Sequence, residues 1–310
     1  MAAGRVDMMA VSRRSFIVQG SALAAGAMIA GPATAARLRF PPGIQLWAVK
    51  DDMAQDPEGT LRALGKMGYK RVEAAGWYGL TPQQYRAMVK AAGLDCVSAH
   101  YGLKDLIDDP EGRLAFARDV GCKYVVASSP AVPKPLDPSK PWPIAVADAM
   151  NLEAWRSNAG AMETIGKRAR KLGLRFGYHN HSAELLDYEG VMPLAEIVRM
   201  TNPKHVALEL DIGWVAAAGY DPVTIIKRFG PRIELLHIKD QLSPVREPGK
   251  MIADDRTTVI GEGTIDWKAT FRALRGSPVH SYFVEQEDPF TEPALDAARK
   301  SLAYMRTLSI

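Results

Sequence analysis

Between Ile44 and the C-terminus, eight short β-branched or apolar runs alternate with longer segments of helical period. That alternation leaves few folds open, because strands separated by helices form parallel sheets. The strand candidates are Ile44–Val49, Arg71–Ala75, Leu94–His100, Tyr124–Ser128, Arg175–Asn180, Val206–Asp211, Ile233–Ile238 and Ser281–Glu285. Helices are expected over Pro57–Met67, Thr81–Ala92, Asn151–Lys171, Val191–Met200, Pro222–Phe229, Asp266–Leu274 and Glu292–Thr307. Gly68 and Gly173 follow two of them where a left-handed cap belongs. Eight strands in one such length predict an α/β fold, a single-domain (β/α)8 TIM barrel over residues 36–310. A doubly wound open sheet is the other solution, but the first strand, "GIQLWAVKDD", is not followed by a Gly-rich phosphate turn.

The polar residues are placed unusually for a core. Most strand candidates close on an ionisable side chain: Glu73, His100, His179 with His181, Asp211, His237, and Glu285 with Glu287. His179 and His181 stand two apart in "GYHNHSAEL", so on a strand they face one common space. In a barrel these strand ends converge, and crowded carboxylates and imidazoles repel or desolvate unless something compensates. A divalent metal compensates directly, accepting neutral imidazole nitrogens and carboxylate oxygens. Singly, each has a plainer use: Asp211 as a turn cap before Gly213, His237 as a core histidine. Two long connections, 129–150 with six prolines and 241–264 ending in Gly261-Glu262-Gly263, would cover the mouth where these residues meet.

The N-terminus reads as a separate segment. Ser12-Arg13-Arg14-Ser15-Phe16-Ile17 precedes an uncharged Ala- and Gly-rich stretch and the small-x-small site Ala33-Thr34-Ala35. It resembles a twin-arginine signal peptide over residues 1–35, which implies export in the folded state to the periplasm. The stretch is too short and too weakly apolar for a membrane span, so no stable membrane anchor is expected after signal removal. Residues 1–35 hold Arg5, Arg13, Arg14 and Asp7, so without them the formal charge falls from +4 to +2. With no basic run left, nucleic acid is excluded as a partner on electrostatic grounds. Cys96 and Cys122, the two cysteines, lie at apolar runs and read as buried free thiols, although an exported protein could pair them.

In order along the chain, "YHNHSAEL", "ELDIGW", "LLHIKD", "GEGTIDW" and "FVEQE" resemble the sugar phosphate isomerase/epimerase family with the xylose isomerase-like TIM barrel, over about residues 43–306. The resemblance implies one divalent metal ion, with Mn2+ favoured and Zn2+, Co2+ or Fe2+ compatible, held by His179, Asp211, His237 and Glu285. It also implies a small-molecule carbohydrate substrate. The chain departs from the family at His179, where family epimerases carry a glutamate that exchanges a proton with the strand-eight glutamate across the substrate carbon. An imidazole bound to metal has its basic lone pair engaged, so one-sided proton abstraction is expected instead. His181 is then the candidate acid or base, with Glu285 and Lys239 as further catalytic candidates. Glu73, His100, Trp77, Trp214 and Glu287 are the substrate-binding candidates, with Trp47 and Tyr101 as further stacking surfaces.

The activity expected from this resemblance is a sugar isomerase or epimerase that removes a proton α to a carbonyl and passes through an enediolate. The alternative is a lyase or dehydratase eliminating from a 3-keto-glycoside. A reading of another class is a noncatalytic periplasmic sugar-binding protein, or a subunit of a complex with an oxidoreductase; an oligomer is also compatible. The barrel is shared with a metal-dependent DNA-repair endonuclease, but Trp214 stands where that enzyme would have a further histidine.

Overall fold

The computed structural model describes residues 40–242, 247–249 and 257–308. The expected twin-arginine segment, residues 1–35, and parts of the 241–264 connection lie outside the described residues. Among the described residues, no helix is long and apolar enough to cross a membrane.

Eight strands close into a parallel barrel, as expected: β1 (Gly43–Gln45), β2 (Arg71–Ala74), β3 (Asp95–Gly102), β4 (Tyr124–Ser129), β5 (Arg175–His179), β6 (Val206–Asp211), β7 (Ile233–Ile238) and β8 (Ser281–Val284). Each pairs with the next, and β8 returns to β1 with Gly43 opposite Phe283 and Ile44 opposite Val284. Closure depends on a missing side chain. A Cβ at Gly43 would stand 2.5 Å from the Tyr282 carbonyl oxygen and 2.7 Å from the Phe283 ring.

The apolar residues form two cores. The larger lies between the strands and the surrounding helices and includes Ile44, Val72, Phe176, Leu208, Leu236 and Ile238. The smaller, Val97, Tyr124, Val126, Leu235 and Phe283, plugs the barrel interior. Burying each such side chain contributes roughly 1.5–3 kcal/mol. Side chains alternate along a strand, so the plug fixes what stands above it. With Leu235 inside, His237 and Lys239 follow on the same side; with Phe283 inside, so do Glu285 and Glu287.

Helix boundaries follow local chemistry. Pro57–Met67 starts after Asp56, whose side chain accepts from the Gly59 N–H, and ends at Gly68 with φ 107°. Thr81 and Gln84 form a reciprocal capping box at Pro82–Ala91. The structure also departs from expectation, with helices added at Lys50–Gln55 and Leu103–Asp108 among other changes. The first strand stops at Gln45, whose side chain accepts from the Trp47 N–H and turns Leu46–Val49 into a 3-10 helix. Pro110–Val120 is an additional helix, capped by Asp109 and Gly121, with only Leu114, Ala117 and Val120 buried. The Pro-rich connection holds the helix Trp142–Ala149. Ile212–Ala217, directly after β6, opens on Asp211, which accepts from the Trp214 N–H.

After β7 the chain is gathered by one buried carboxylate. Asp240 accepts from the N–H groups of Gln241 (3.0 Å), Gly261 (2.9 Å) and Ile265 (3.3 Å) and from the Trp267 indole (2.8 Å). Gly263 has no alternative there, since its Cβ would lie 2.1 Å from Asp240 Oδ1. Asp240→Ala would strand these donors in a dry interior and is expected to destabilise the protein by about 3 kcal/mol or more. An unfolding free energy from urea titration lowered by less than about 1 kcal/mol would show that the carboxylate does not organise this connection.

Candidate metal centre and active site

The inward-facing polar residues meet above the apolar plug, at the carboxyl ends of the strands. His237 stands at the middle, between two carboxylates. Its Nδ1 is 2.9 Å from Glu285 Oε2 and its Nε2 is 2.7 Å from Glu73 Oε2. Glu73 Oε2 also accepts from Gln45 Nε2 (2.9 Å) and faces His100 Nε2 (2.9 Å). His100 Nε2 reaches Glu209 Oε2 at 2.7 Å, and the His100 and His237 rings stack with centroids 5.2 Å apart. On the other side, Lys239 Nζ is 2.9 Å from Glu285, 3.3 Å from Asp211 and in contact with Glu287.

Two overlapping constellations have metal-ligand spacing: Asp211 with His237 and Glu285, and His100 with His179, Glu209 and His237. In each, the ligand atoms lie within 4.8 Å of one another. His179 Nε2 adds to the first, 3.9 Å from Asp211 Oδ2. His179 Nδ1 and Glu209 Oε1 are buried without a hydrogen-bond partner, and Asp211 Oδ2 accepts no hydrogen bond although Lys239 Nζ stands 3.3 Å away. Such groups are costly unless a cation completes them, and neutral nitrogen with carboxylate oxygen is a donor set that divalent ions accept. The residues fit a divalent metal. Ligation through His237 Nδ1 would leave the ring proton on Nε2, where Glu73 accepts it and fixes the ring.

The charges are sorted by their neighbours. Burial would raise the Glu285 carboxyl, but Lys239 and His237 outweigh it and hold it below the usual carboxylate range. Burial also opposes ionisation of Glu73, again overcome by His100 and His237. Asp211 goes the other way, pushed up to about 6 by burial against the pull of Lys239 and His237. Burial disfavours charge on His100, yet Glu73 and Glu209 raise it to about 9. Burial, reinforced by Lys239, keeps His181 well below the ordinary histidine range, so it is a neutral imidazole at pH 7.

His181 borders the metal constellations, its ring 4.8 Å from that of His179. Its ring packs between Trp142 (4.6 Å) and Trp214 (5.1 Å), with Nδ1 lacking a partner. Lys239 Nζ lies 4.9 Å from the same Trp214 ring, so acid and base candidates flank one indole. The turn that carries His181 is held by Glu184, whose Oε2 accepts the His181 N–H at 3.0 Å and whose Oε1 accepts the Tyr178 hydroxyl at 2.5 Å.

The structure therefore brings together His179, Asp211, His237, Glu285, Lys239, Glu287, His100 and Glu73, with His181 and Trp214 beside them. Glu73 is fully buried beneath His237 and His100 and faces their rings rather than the mouth. Trp77 is not brought in. It packs on Tyr85 and Phe116 of the outer helices at 4.9 and 4.7 Å and donates its indole N–H to Tyr101 Oη. Sequence reasoning missed Glu209, although the alternation in "VALELD" puts it on the same face as Asp211. Glu184 and Trp142 carried no periodic signal, being on a short turn and in the Pro-rich connection.

Glu184 yields a test with a definite sign. Burial raises its carboxyl from 4.5 to about 7. A carboxyl raised on folding contributes stability below its unfolded value, and that contribution is lost as pH rises through about 7. Its burial as an anion then costs about 3 kcal/mol. Glu184→Gln is expected to gain melting temperature over the parent at pH 8.5, with the gain shrinking toward pH 4. A difference that stays constant across this range would contradict the assignment.

Comparison with known proteins gives the chain its family. A protein named inosose dehydratase 1 from Bacillus cereus is 29% identical over 210 residues, 62% of this chain and 66% of that protein. Inosose dehydratase from Geobacillus kaustophilus (strain HTA426) is 23% identical over 276 residues, 83% of this chain and 88% of its own length. Among solved structures, a sugar phosphate isomerase/epimerase from Parabacteroides distasonis ATCC 8503 superposes with TM-score 0.70 at 22% identity, covering 89% of this chain and 98% of that one. The IOLI protein, solved with a zinc atom, gives TM-score 0.63 at 16% identity, covering 86% and 98%. These structural likenesses carry the fold. Residues 61–308 match the family described as xylose isomerase-like TIM barrel, and the chain belongs to that family.

Proposed function

We propose that this protein is a metal-dependent lyase that removes water from a keto-cyclitol or keto-sugar by taking a proton α to the carbonyl. The observation that carries this reading is what β5 presents to the site. Exchange of a proton between two carboxylates across a carbon needs a carboxylate on each flank. Glu285 supplies one flank, while the β5 side offers the imidazoles of His179 and His181. One-sided abstraction followed by loss of a β-hydroxyl matches that asymmetry. It also agrees with the names of the dehydratase relatives.

Asp211, His237, Glu285 and His179 would hold the metal. When bound, a divalent ion polarises a carbonyl oxygen and stabilises the negative charge that develops on it. His181, neutral and with an unpartnered Nδ1, accepts the α proton. The carboxylates of Asp211, Glu285 and Glu287 keep Lys239 protonated despite its burial. Lys239 therefore has a proton to give to the departing hydroxyl, and the product side is water. Trp214 sets the spacing between this acid and this base. The metal named first is Mn2+, with Zn2+, Co2+ and Fe2+ served by the same donors. Residues Arg13 and Arg14 support a periplasmic site of action.

The reading is tested with metal-loaded protein and an inosose in D2O. Water loss with α-deuterium exchange is expected, and His181→Ala should slow it by about 10²–10⁴-fold at unchanged metal content. An inverted stereocentre with no water lost would assign an epimerase instead. Tight binding with neither exchange nor elimination would assign a sugar-binding protein.

A further inference from the structure

The two cysteines meet where β3 and β4 begin: Cys96 is the second residue of β3, and Cys122 lies two residues before β4. Ser98 of β3 pairs with Tyr124 of β4 in parallel register, and the Lys123 N–H to Val97 carbonyl bond (2.8 Å) extends the ladder toward the strand starts. Just before these pairs, where β3 is bulged against β2, stand Cys96 and Cys122, 26 positions apart in the chain. Neighbouring strands run about 4.7–4.9 Å apart, inside the Cα separation that a disulfide spans. The sulfurs already touch, with Sγ to Sγ 3.6 Å, and both side chains are buried in the larger core.

A route for a reagent exists at this end of the barrel. A cavity of about 970 Å³ opens at the amino-terminal ends of the strands, away from the metal constellations, and Cys96 and Gly121 line it together with Arg71, Lys123 and Arg175. Cys96 is thus reachable from the cavity, with Cys122 directly behind it.

We infer that Cys96 and Cys122 are a modification site, a thiol pair that closes to a disulfide after folding and ties the start of β3 to the start of β4. The oxidant is a small-molecule or protein disulfide. The Cys96 thiolate attacks one sulfur of that disulfide and releases a thiolate. The Cys122 thiolate then attacks Cys96 Sγ of the mixed disulfide and releases the second. The pair loses two protons and two electrons, and the oxidant leaves as two thiols. The Cys122 contact and burial both push the Cys96 thiol up, so closure is faster at alkaline pH. A chain exported already folded would need such a post-folding route to oxidise buried thiols.

The test uses the folded full chain and oxidised glutathione at pH 8.5, followed by unfolding, maleimide tagging and intact mass measurement. Untreated, reduced protein should take two tags per chain. After oxidation it should take none, lose two hydrogen masses, and give a Cys96–Cys122 cross-linked peptide. Its melting temperature should rise by roughly 5–10 °C, the expectation for closing a loop of this length. Cys96→Ala and Cys122→Ala should show no such rise. Two tags surviving treatment of the folded protein would overturn the inference, and so would a stable adduct carrying one glutathione. Because every readout is a mass or a melting temperature, failure here leaves the proposed activity untouched.

Discussion

Five carboxylates, Glu73, Glu209, Asp211, Glu285 and Glu287, converge with Lys239 and three histidines at one end of a barrel whose interior is otherwise apolar. Carboxylates in a dry interior cannot all remain ionised unless cations stand among them. Lys239 answers for part of this, touching Asp211, Glu285 and Glu287. His100 and His237 answer for another part, wedged between Glu73, Glu209 and Glu285. Asp211 Oδ2 faces Lys239 at 3.3 Å but accepts no hydrogen bond, and Asp211 belongs to the constellation that a divalent ion fits. The arrangement of the whole site follows from this need for positive charge.

The barrel meets that need by layering. The plug of Val97, Tyr124, Val126, Leu235 and Phe283 excludes water from below and sets the strand parity. Each further inward step along β6, β7 and β8 then delivers an ionisable residue. Glu73 and Gln45, from the first two strands, are too deep to meet a substrate, and they anchor His237 instead. Past the strand ends stand His181 on the Glu184-held turn, Trp214 on the helix after β6, and Lys239 after β7.

Much of this was legible in the sequence, because parity and strand count are written in the hydrophobic pattern. The eight runs, the left-handed glycines Gly68 and Gly173 after two helices, and the ionisable strand ends all survive in the structure. What escaped depends on contacts between distant segments or on weak periodicity. The helix Pro110–Val120 buries a narrow stripe, so its apolar signal is faint despite the same Asp-Pro start as Pro57–Met67. Trp77 sits just past a strand end, yet Tyr85 and Phe116 claim its ring from the helix layer. Glu209 was readable by alternation with Asp211, whereas Glu184 finds Tyr178 only because the turn folds back over β5.

The most direct test of the central claim is the divalent metal content of the full chain, purified without chelators, beside Asp211→Ala. The account predicts about one equivalent of manganese, zinc, cobalt or iron per chain in the parent. It predicts loss of that ion in the variant, with the far-ultraviolet circular dichroism of the barrel retained. A folded parent that binds no divalent ion even after dialysis against manganese and zinc would contradict the account, as would a variant that keeps its metal.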